Sequence, residues 1–244
     1  MKKALSLLRV FVTIIFLPMW IVLIPGYVVI AVALGAGHNH ITEAIQVFYN
    51  FMKWGFQYDL SIEGIENYDR KKSCVIVANH QSFFDIPVTY NTFKGNVRMI
   101  AKKEVFKVPV LGMAMKAAGT VSIDRGNKES AKKAMTHLKE LVGQGLQMWI
   151  AAEGKRSHDG ELLPFKKGAF YTAIEQQVPI IPTVYEGTKD IMPKGAYLAR
   201  PGKNVRVKIL APISTSGMTT EHVNVLMNTV REQMLNALGE LRRD

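Results

Sequence analysis

Cysteine is nearly absent from these 244 residues, with Cys74 the single example. That excludes an internal disulfide and any cysteine-based metal site, and a lone thiol inside an apolar strand reads as core rather than nucleophile. No Gly-x-Ser-x-Gly elbow occurs, so the sequence gives no signal for a serine hydrolase built on a strand–turn–helix. Internal repeats, low-complexity tracts and nucleic-acid-binding motifs are also missing. Acidic residues are the scarcer charge, 20 against 31 Lys and Arg, for a formal net charge of +11 and a pI of about 9.7. Such a balance favours an anionic partner: a membrane surface, an acidic carrier or nucleic acid. The missing motifs count against the last.

Charge is wholly absent from Val10 to Gly37, about 28 positions against the roughly 20 that cross a bilayer. This segment is expected in lipid. A secretory signal competes, since Lys2, Lys3 and Arg9 make a basic start and Ala31-Val32-Ala33 resembles a cleavage site, but the run is about twice a signal core. One straight helix would be about 42 Å long against a hydrocarbon core of about 30 Å. A bend is therefore expected at Pro18 or at Pro25-Gly26. The basic start favours a cytoplasmic amino terminus. A helical hairpin entering and leaving by one face reconciles that with a main domain on the same side. Residues 41–58 carry apolar side chains at helical spacing, an amphipathic helix lying on the membrane or packed on the domain, with Tyr49 and Trp54 at headgroup level. His38 and His40, on a short loop before it, are a weak metal signal.

The remainder has 48% hydrophobic content to draw on, ample for one α/β domain. Strands are expected at 60–65, 73–78, 97–100, 120–123, 147–152, 180–185 and 205–210. Helices are expected after Asp85, in pieces over 102–118 broken at Val108-Pro109 and Gly112, over 130–142 with Gly143 at C′, over 168–176, and from about 220 to 242. The alternation predicts a mostly parallel mixed sheet flanked by helices, over 59–244, behind a membrane-embedded and interfacial helical segment over 1–58.

Val75 to Ala78 is β-branched, apolar and too short for a helix, the mark of a buried parallel strand. His80 follows it at the carboxyl end, where open α/β sheets place their sites. Asp85 comes five residues later, a spacing that works across a turn: the carboxylate accepts from one ring nitrogen and leaves the other to take a proton. This is a base and its orienter without an enzyme nucleophile, so a substrate would bring the hydroxyl. A plain turn histidine followed by a helix N-cap is the competing reading. Three further loops follow predicted strands: Lys102-Lys103-Glu104, Asp124-Arg125 and Glu153-Gly154-Lys155-Arg156-Ser157. If the strands are parallel, all four loops open on one sheet edge and their cations converge near His80. Arginine's planar fork suits a phosphate there.

Asn79-His80-xxxx-Asp85, Gly119-Thr120-Val121-Ser122-Ile123-Asp124-Arg125, Glu153-Gly154-Lys155-Arg156-Ser157 and Val178-Pro179-Ile180-Ile181-Pro182 stand in the order and spacing of the four blocks of the glycerolipid acyltransferases. Over roughly 60–215 the chain resembles the 1-acylglycerol-3-phosphate O-acyltransferase family. The resemblance implies transfer of a fatty acyl group from a thioester, acyl carrier protein or acyl coenzyme A, to the free hydroxyl of lysophosphatidate. His80 would be the general base and Asp85 its orienter. Lys102, Arg125, Glu153, Gly154 and Arg156 would bind the glycerol phosphate, and the Val178–Pro182 block would line the acyl side. It implies no metal or redox cofactor, no nucleic-acid partner, and a place at the bacterial inner membrane facing the cytoplasm. The third block departs from the family's Phe-Pro-Glu-Gly-Thr-Arg: Ala151 and Ala152 precede Glu153, and Lys155 replaces threonine. A different lysophospholipid acceptor stays open, as does a membrane-anchored binding protein without turnover.

Overall fold

In the computed structural model, which describes residues 2–94, 97–124, 126–196 and 198–243, the 32 residues Lys2–Ala33 wind into a single helix, α1. Pro18 and Pro25 lie inside it, and the helix runs through both without ending. An apolar helix accommodates a proline when neighbouring groups re-satisfy the freed backbone. The reversal comes after the apolar run. Gly35 takes φ +82°, Ala36 N donates to Ala31 O at 2.8 Å and Gly35 N to Val32 O at 3.0 Å, the bond pair that closes a helix through a left-handed glycine. α2 (His38–Phe56) then runs back along α1. Gln57 Nε2 donates to Ser6 O at 3.1 Å, the Trp20 and Phe51 rings lie 5.2 Å apart, and Val28 packs with Ile41 and Ala44. His38 and His40 therefore belong to the first turn of a helix, not to a loop. Among the described residues no group of three His, Cys, Asp or Glu is placed to hold a metal.

The outward side chains of α1, among them Leu7, Phe11, Ile15, Val22, Leu23 and Ile30, are each more than half exposed. The span Ala4–Ala33 is long and apolar enough to cross a membrane. Where the helices cross, a Cβ on Gly55 would lie 1.8 Å from Thr13 Oγ1, and Thr13 is fully buried. Gly55→Ala is expected to force the hairpin apart and to destabilise the protein by about 1–3 kcal/mol, the usual range for overpacking. Thermal unfolding in detergent checks this; an unchanged midpoint would mean that Thr13 can turn away.

The domain continues as β1 (Asp59–Glu63), β2 (Val75–Ala78), α3 (Asp85–Thr92), β3 (Val97–Lys102), α4 (Leu111–Ala117), β4 (Val121–Ile123), α5 (Lys128–Gly143), β5 (Gln147–Ala151), α6 (Gly168–Glu175), β6 (Ile180–Glu186), α7 (Thr188–Ile191), β7 (Asn204–Ile209) and α8 (Val223–Arg243). Its seven strands form one sheet in the order β1-β7-β6-β2-β5-β3-β4. From β6 to β4 every pair is parallel; β7 runs antiparallel to β6, and β1 parallel to β7. Alternation divides the central strand between two cores. Val75 and Val77 pack with Leu138, Phe170 and Val230, whereas Cys74, Ile76 and Ala78 pack with Phe84, Val88 and Phe56. α5, α6 and α8 thus cover one face, and α3 with the end of α2 the other.

Two glycines play parts other than those expected. Gly112 does not break its helix but lies within α4, where a Cβ would come 2.1 Å from Phe106 O. Gly143 is the last residue of α5, and Gly145, at φ +94°, is the left-handed position: Gly145 N donates to Val142 O and Leu146 N to Leu141 O.

Candidate active site

β2 continues through α3 to β3 on one side, while β5 continues through α6 to β6 on the other, crossing β2. The loops after these two neighbouring strands therefore diverge, the arrangement that opens a crevice at the carboxyl edge of a parallel sheet. His80 stands after β2, and Glu153 to Arg156 after β5.

Asn79 secures the turn. Its side chain pairs with the backbone of β6, Nδ2 donating to Tyr185 O at 2.9 Å and Oδ1 accepting from Tyr185 N at 2.8 Å. The chain can then leave the sheet without a ladder and present His80. Asp85 opens α3, fully buried, and its Oδ2 lies 2.6 Å from His80 Nδ1. The same oxygen accepts from Gln81 N at 2.8 Å and Ser82 N at 2.9 Å. Two backbone donors aimed at one oxygen require it to be an acceptor, so the proton between ring and carboxylate belongs to Nδ1. Nε2 is left as the basic nitrogen, on a side chain 14% exposed. The His80 ring stands nearly perpendicular to that of Trp149, their centres 6.0 Å apart; Trp149 Nε1 donates to Tyr185 Oη at 2.9 Å, and that hydroxyl lies 2.8 Å from Thr89 Oγ1, which bonds Asp85 O at 2.7 Å. Both ends of the dyad are fixed from beneath.

Glu153, 3% exposed, turns inward. Oε1 accepts from His80 N at 2.7 Å and Oε2 from Leu163 N at 2.9 Å, while Ser157 N donates to His80 O at 2.8 Å. The loop after β5 thereby clamps the histidine's own peptide. Burial pushes the Glu153 carboxyl up to about 7, against the opposing pull of the two N–H bonds and of His80. Gly154, at φ +72°, lies under the Lys166 side chain, where a Cβ would meet Lys166 Cε at 2.8 Å. The Arg156 guanidinium carbon stands 4.0 Å from the centre of the Phe83 ring on the His80 turn, and Lys194 Nζ donates to Arg156 O at 3.0 Å. Lys102 ends β3, exposed at the same sheet edge, and the neighbouring Lys103 pairs with Asp124 after β4. Arg125 lies outside the described residues.

The structure thus brings His80, Asp85 and Glu153 into one bonded group, with Arg156 beside it and Lys102 at the same edge beyond β5. Trp149, Tyr185, Lys166 and Lys194 carry no local mark in the sequence; they join the site through strand order and loop path. Ser82 is fully buried, donates to Met192 O at 2.8 Å and accepts from Phe84 N at 3.1 Å, so its hydroxyl is committed away from His80.

A buried carboxylate bonded to a histidine at a parallel-sheet edge, with cations nearby, is an arrangement able to take a proton from a hydroxyl, the chemistry of a group-transfer enzyme. The acyltransferase family model matches residues 59–186. The 1-acyl-sn-glycerol-3-phosphate acyltransferase of Saccharomyces cerevisiae is 36% identical over 211 residues, covering 84% of this chain and 69% of that protein. The human alpha enzyme of the same name is 32% identical over 194 residues, 79% of this chain and 68% of its own. The crystal structure of the 1-acyl-sn-glycerophosphate (LPA) acyltransferase PlsC from Thermotoga maritima superposes with a TM-score of 0.83 at 28% identity, covering 100% of this chain and 99% of that one. The chain belongs to the 1-acylglycerol-3-phosphate O-acyltransferase family, and its chemistry is glycerolipid acyl transfer.

Proposed function

We propose that the chain transfers a fatty acyl group from an acyl thioester, acyl-ACP or acyl-CoA, to the sn-2 hydroxyl of 1-acylglycerol-3-phosphate, forming phosphatidate. The observation that carries this reading is the 2.6 Å His80–Asp85 bond with its two backbone donors, on a chain similar to lysophosphatidate acyltransferases. Nε2 of His80 takes the proton of the acceptor hydroxyl as its oxygen attacks the thioester carbonyl. Asp85 stabilises the imidazolium that forms. When the tetrahedral adduct collapses, the C–S bond breaks and the thiol leaves with the proton from His80. No acyl-enzyme forms, and no metal or redox cofactor is needed, because the thioester already carries the activation.

In this reading Arg156, beside the dyad, and Lys102, at the same sheet edge, bind the phosphate, and the resemblance to the family's blocks adds Arg125 and Gly154 to them. Glu153 acts through His80, since backbone donors occupy both its oxygens. Lys155, where the family has threonine, is exposed, and this favours retention of the lysophosphatidate acceptor. α1 and α2 seat the enzyme in the bacterial inner membrane by their apolar surface. The site faces the cytoplasm, where acidic acyl carriers suit the +11 charge.

The test is acyl transfer from a labelled thioester to lysophosphatidate, run beside His80→Ala and against other lysophospholipids. Phosphatidate that forms with the native enzyme and vanishes with the variant is the expected result. Preference for another acceptor would overturn the substrate, and turnover independent of His80 would overturn the mechanism.

A further inference from the structure

At the far end of α3 from Asp85, a cleft of about 230 Å³ opens against α2, lined by Gln46, Asn50, Lys53, Tyr90, Asn91 and Lys94. It offers two ammonium groups and three carboxamides, and no carboxylate lines it. Gln46, Asn50 and Lys53 stand at i, i+4 and i+7, one face of α2, while Ile41 and Ala44 are buried with Val28 of α1. Two of the amides, Asn50 and Asn91, are tied by hydrogen bonds. The buried Tyr58 hydroxyl donates to Asn91 Oδ1 at 2.7 Å, and Asn91 Nδ2 donates to Asn50 Oδ1 at 2.7 Å. That chain of bonds engages the carbonyl oxygens of Asn91 and Asn50 and ends on the N–H groups of Asn50, so donors remain for a ligand. Among the described residues neither Lys53 nor Lys94 has an ion-pair partner. Glu43, the nearest acid on α2, pairs with His40 at 3.8 Å. The cleft is a donor-lined, positive recess, and at roughly 30 Å³ per water it has room for about seven waters, or for a phosphate diester with part of its hydration.

Its position names the source of the phosphate. α2 is half of the hairpin whose other half exposes its apolar side chains, and Trp54, beside Lys53, is 46% exposed, an aromatic of the kind that marks headgroup level. We propose that this cleft binds the phosphate of an anionic phospholipid, a second lipid site separate from the acceptor at His80. The inference rests on the membrane seating of α1 and α2 proposed above.

The test measures partition of the whole protein onto phosphatidylcholine vesicles and onto the same vesicles containing phosphatidylglycerol. Lys53→Gln/Lys94→Gln is expected to leave the first unchanged and to weaken the second about tenfold or more, the scale for two lysines lost near an anionic surface. Lys53→Arg/Lys94→Arg should restore it. Asn50→Leu, with no change of charge, should weaken it as well. Lys71→Gln/Lys132→Gln, with the same loss of charge elsewhere, should change it by less than about twofold. An equal loss in that last variant, or unchanged preference in Lys53→Gln/Lys94→Gln, would overturn the site while leaving the membrane seating intact. Failure of the native protein to bind either vesicle would overturn both. Inorganic phosphate at matched phosphate concentration and ionic strength should not compete; if it abolished the phosphatidylglycerol preference, free phosphate would be the ligand and the lipid assignment would fall.

Discussion

Asp85→Asn is expected to lower kcat by about 10² to 10⁴, the range over which a general base contributes, with KM for both substrates changing by less than about threefold. Asp85 Oδ2 accepts three bonds, from His80 Nδ1, Gln81 N and Ser82 N. An asparagine can meet those donors in only one of its two orientations. With its oxygen in that position the geometry survives, but the negative charge that stabilises the imidazolium is gone. With its amide nitrogen there, two backbone donors face an NH₂ group and His80 must hold its proton on Nε2, where the base has to be free. Either outcome reaches the chemical step rather than binding. His80→Ala should lose a similar factor, and the double variant should be little worse than either single one, because the two residues act as a unit. Single-turnover transfer from a labelled thioester, with thermal unfolding to confirm that each variant is folded, checks this. An Asp85→Asn enzyme within about tenfold of the native rate would show that His80 does not depend on its orienter.

The strand that carries the dyad was readable because it is buried on both sides: Val75 to Ala78 lie at 0% exposure, and only an unbroken apolar run survives there. The turn after it was readable for the same reason, since polar residues directly after such a run have to be at its end. Strand order was not. β7 runs antiparallel to β6, the strand before it, and parallel to β1, far away in the chain, and nothing within Asn204–Ile209 says whether it pairs with β6, β1 or both. The membrane segment shows a different failure. Proline weighs against helix continuity locally, yet α1 passes through Pro18 and Pro25 while α2 and α4 pack beside it, and the turn waits for Gly35. Glu153 is the instructive residue of the site. Its place in the third block suggested contact with substrate, whereas the structure turns it inward onto two backbone N–H groups, one of them that of His80. Which way a carboxylate points after a strand depends on where the neighbouring loop has unpaired donors, and that is fixed by loops 73 and 10 residues away.

That inward turn makes Glu153→Gln a sharp test, because the substitution keeps shape and removes an acceptor. Glutamine has one oxygen for two donors, so either His80 N or Leu163 N is left against an NH₂ group at a cost of about 1–3 kcal/mol. If His80 N is the one released, its ring shifts relative to the reacting atoms, and kcat should fall by about 10- to 100-fold, as misplacement of about 1 Å commonly causes. Stability carries a second signature. Burial raises the Glu153 carboxyl from 4.5 to about 7, so the folded state keeps a proton that the unfolded chain releases across that interval. The native protein should therefore lose stability as pH rises from 4.5 towards 7, by at most about 3 kcal/mol from this group, and level off above it. Glutamine does not titrate, so the difference in stability between native and variant should be largest near pH 5 and shrink by pH 8. Carboxylates such as Asp124 and Glu240, whose values are lowered by their lysine partners, act in the opposite sense but are common to both proteins and cancel in the difference. Unfolding of both proteins in the same detergent at pH 5 and pH 8 measures this; a constant difference would mean that Glu153 stays ionised throughout and that its two N–H bonds outweigh its burial.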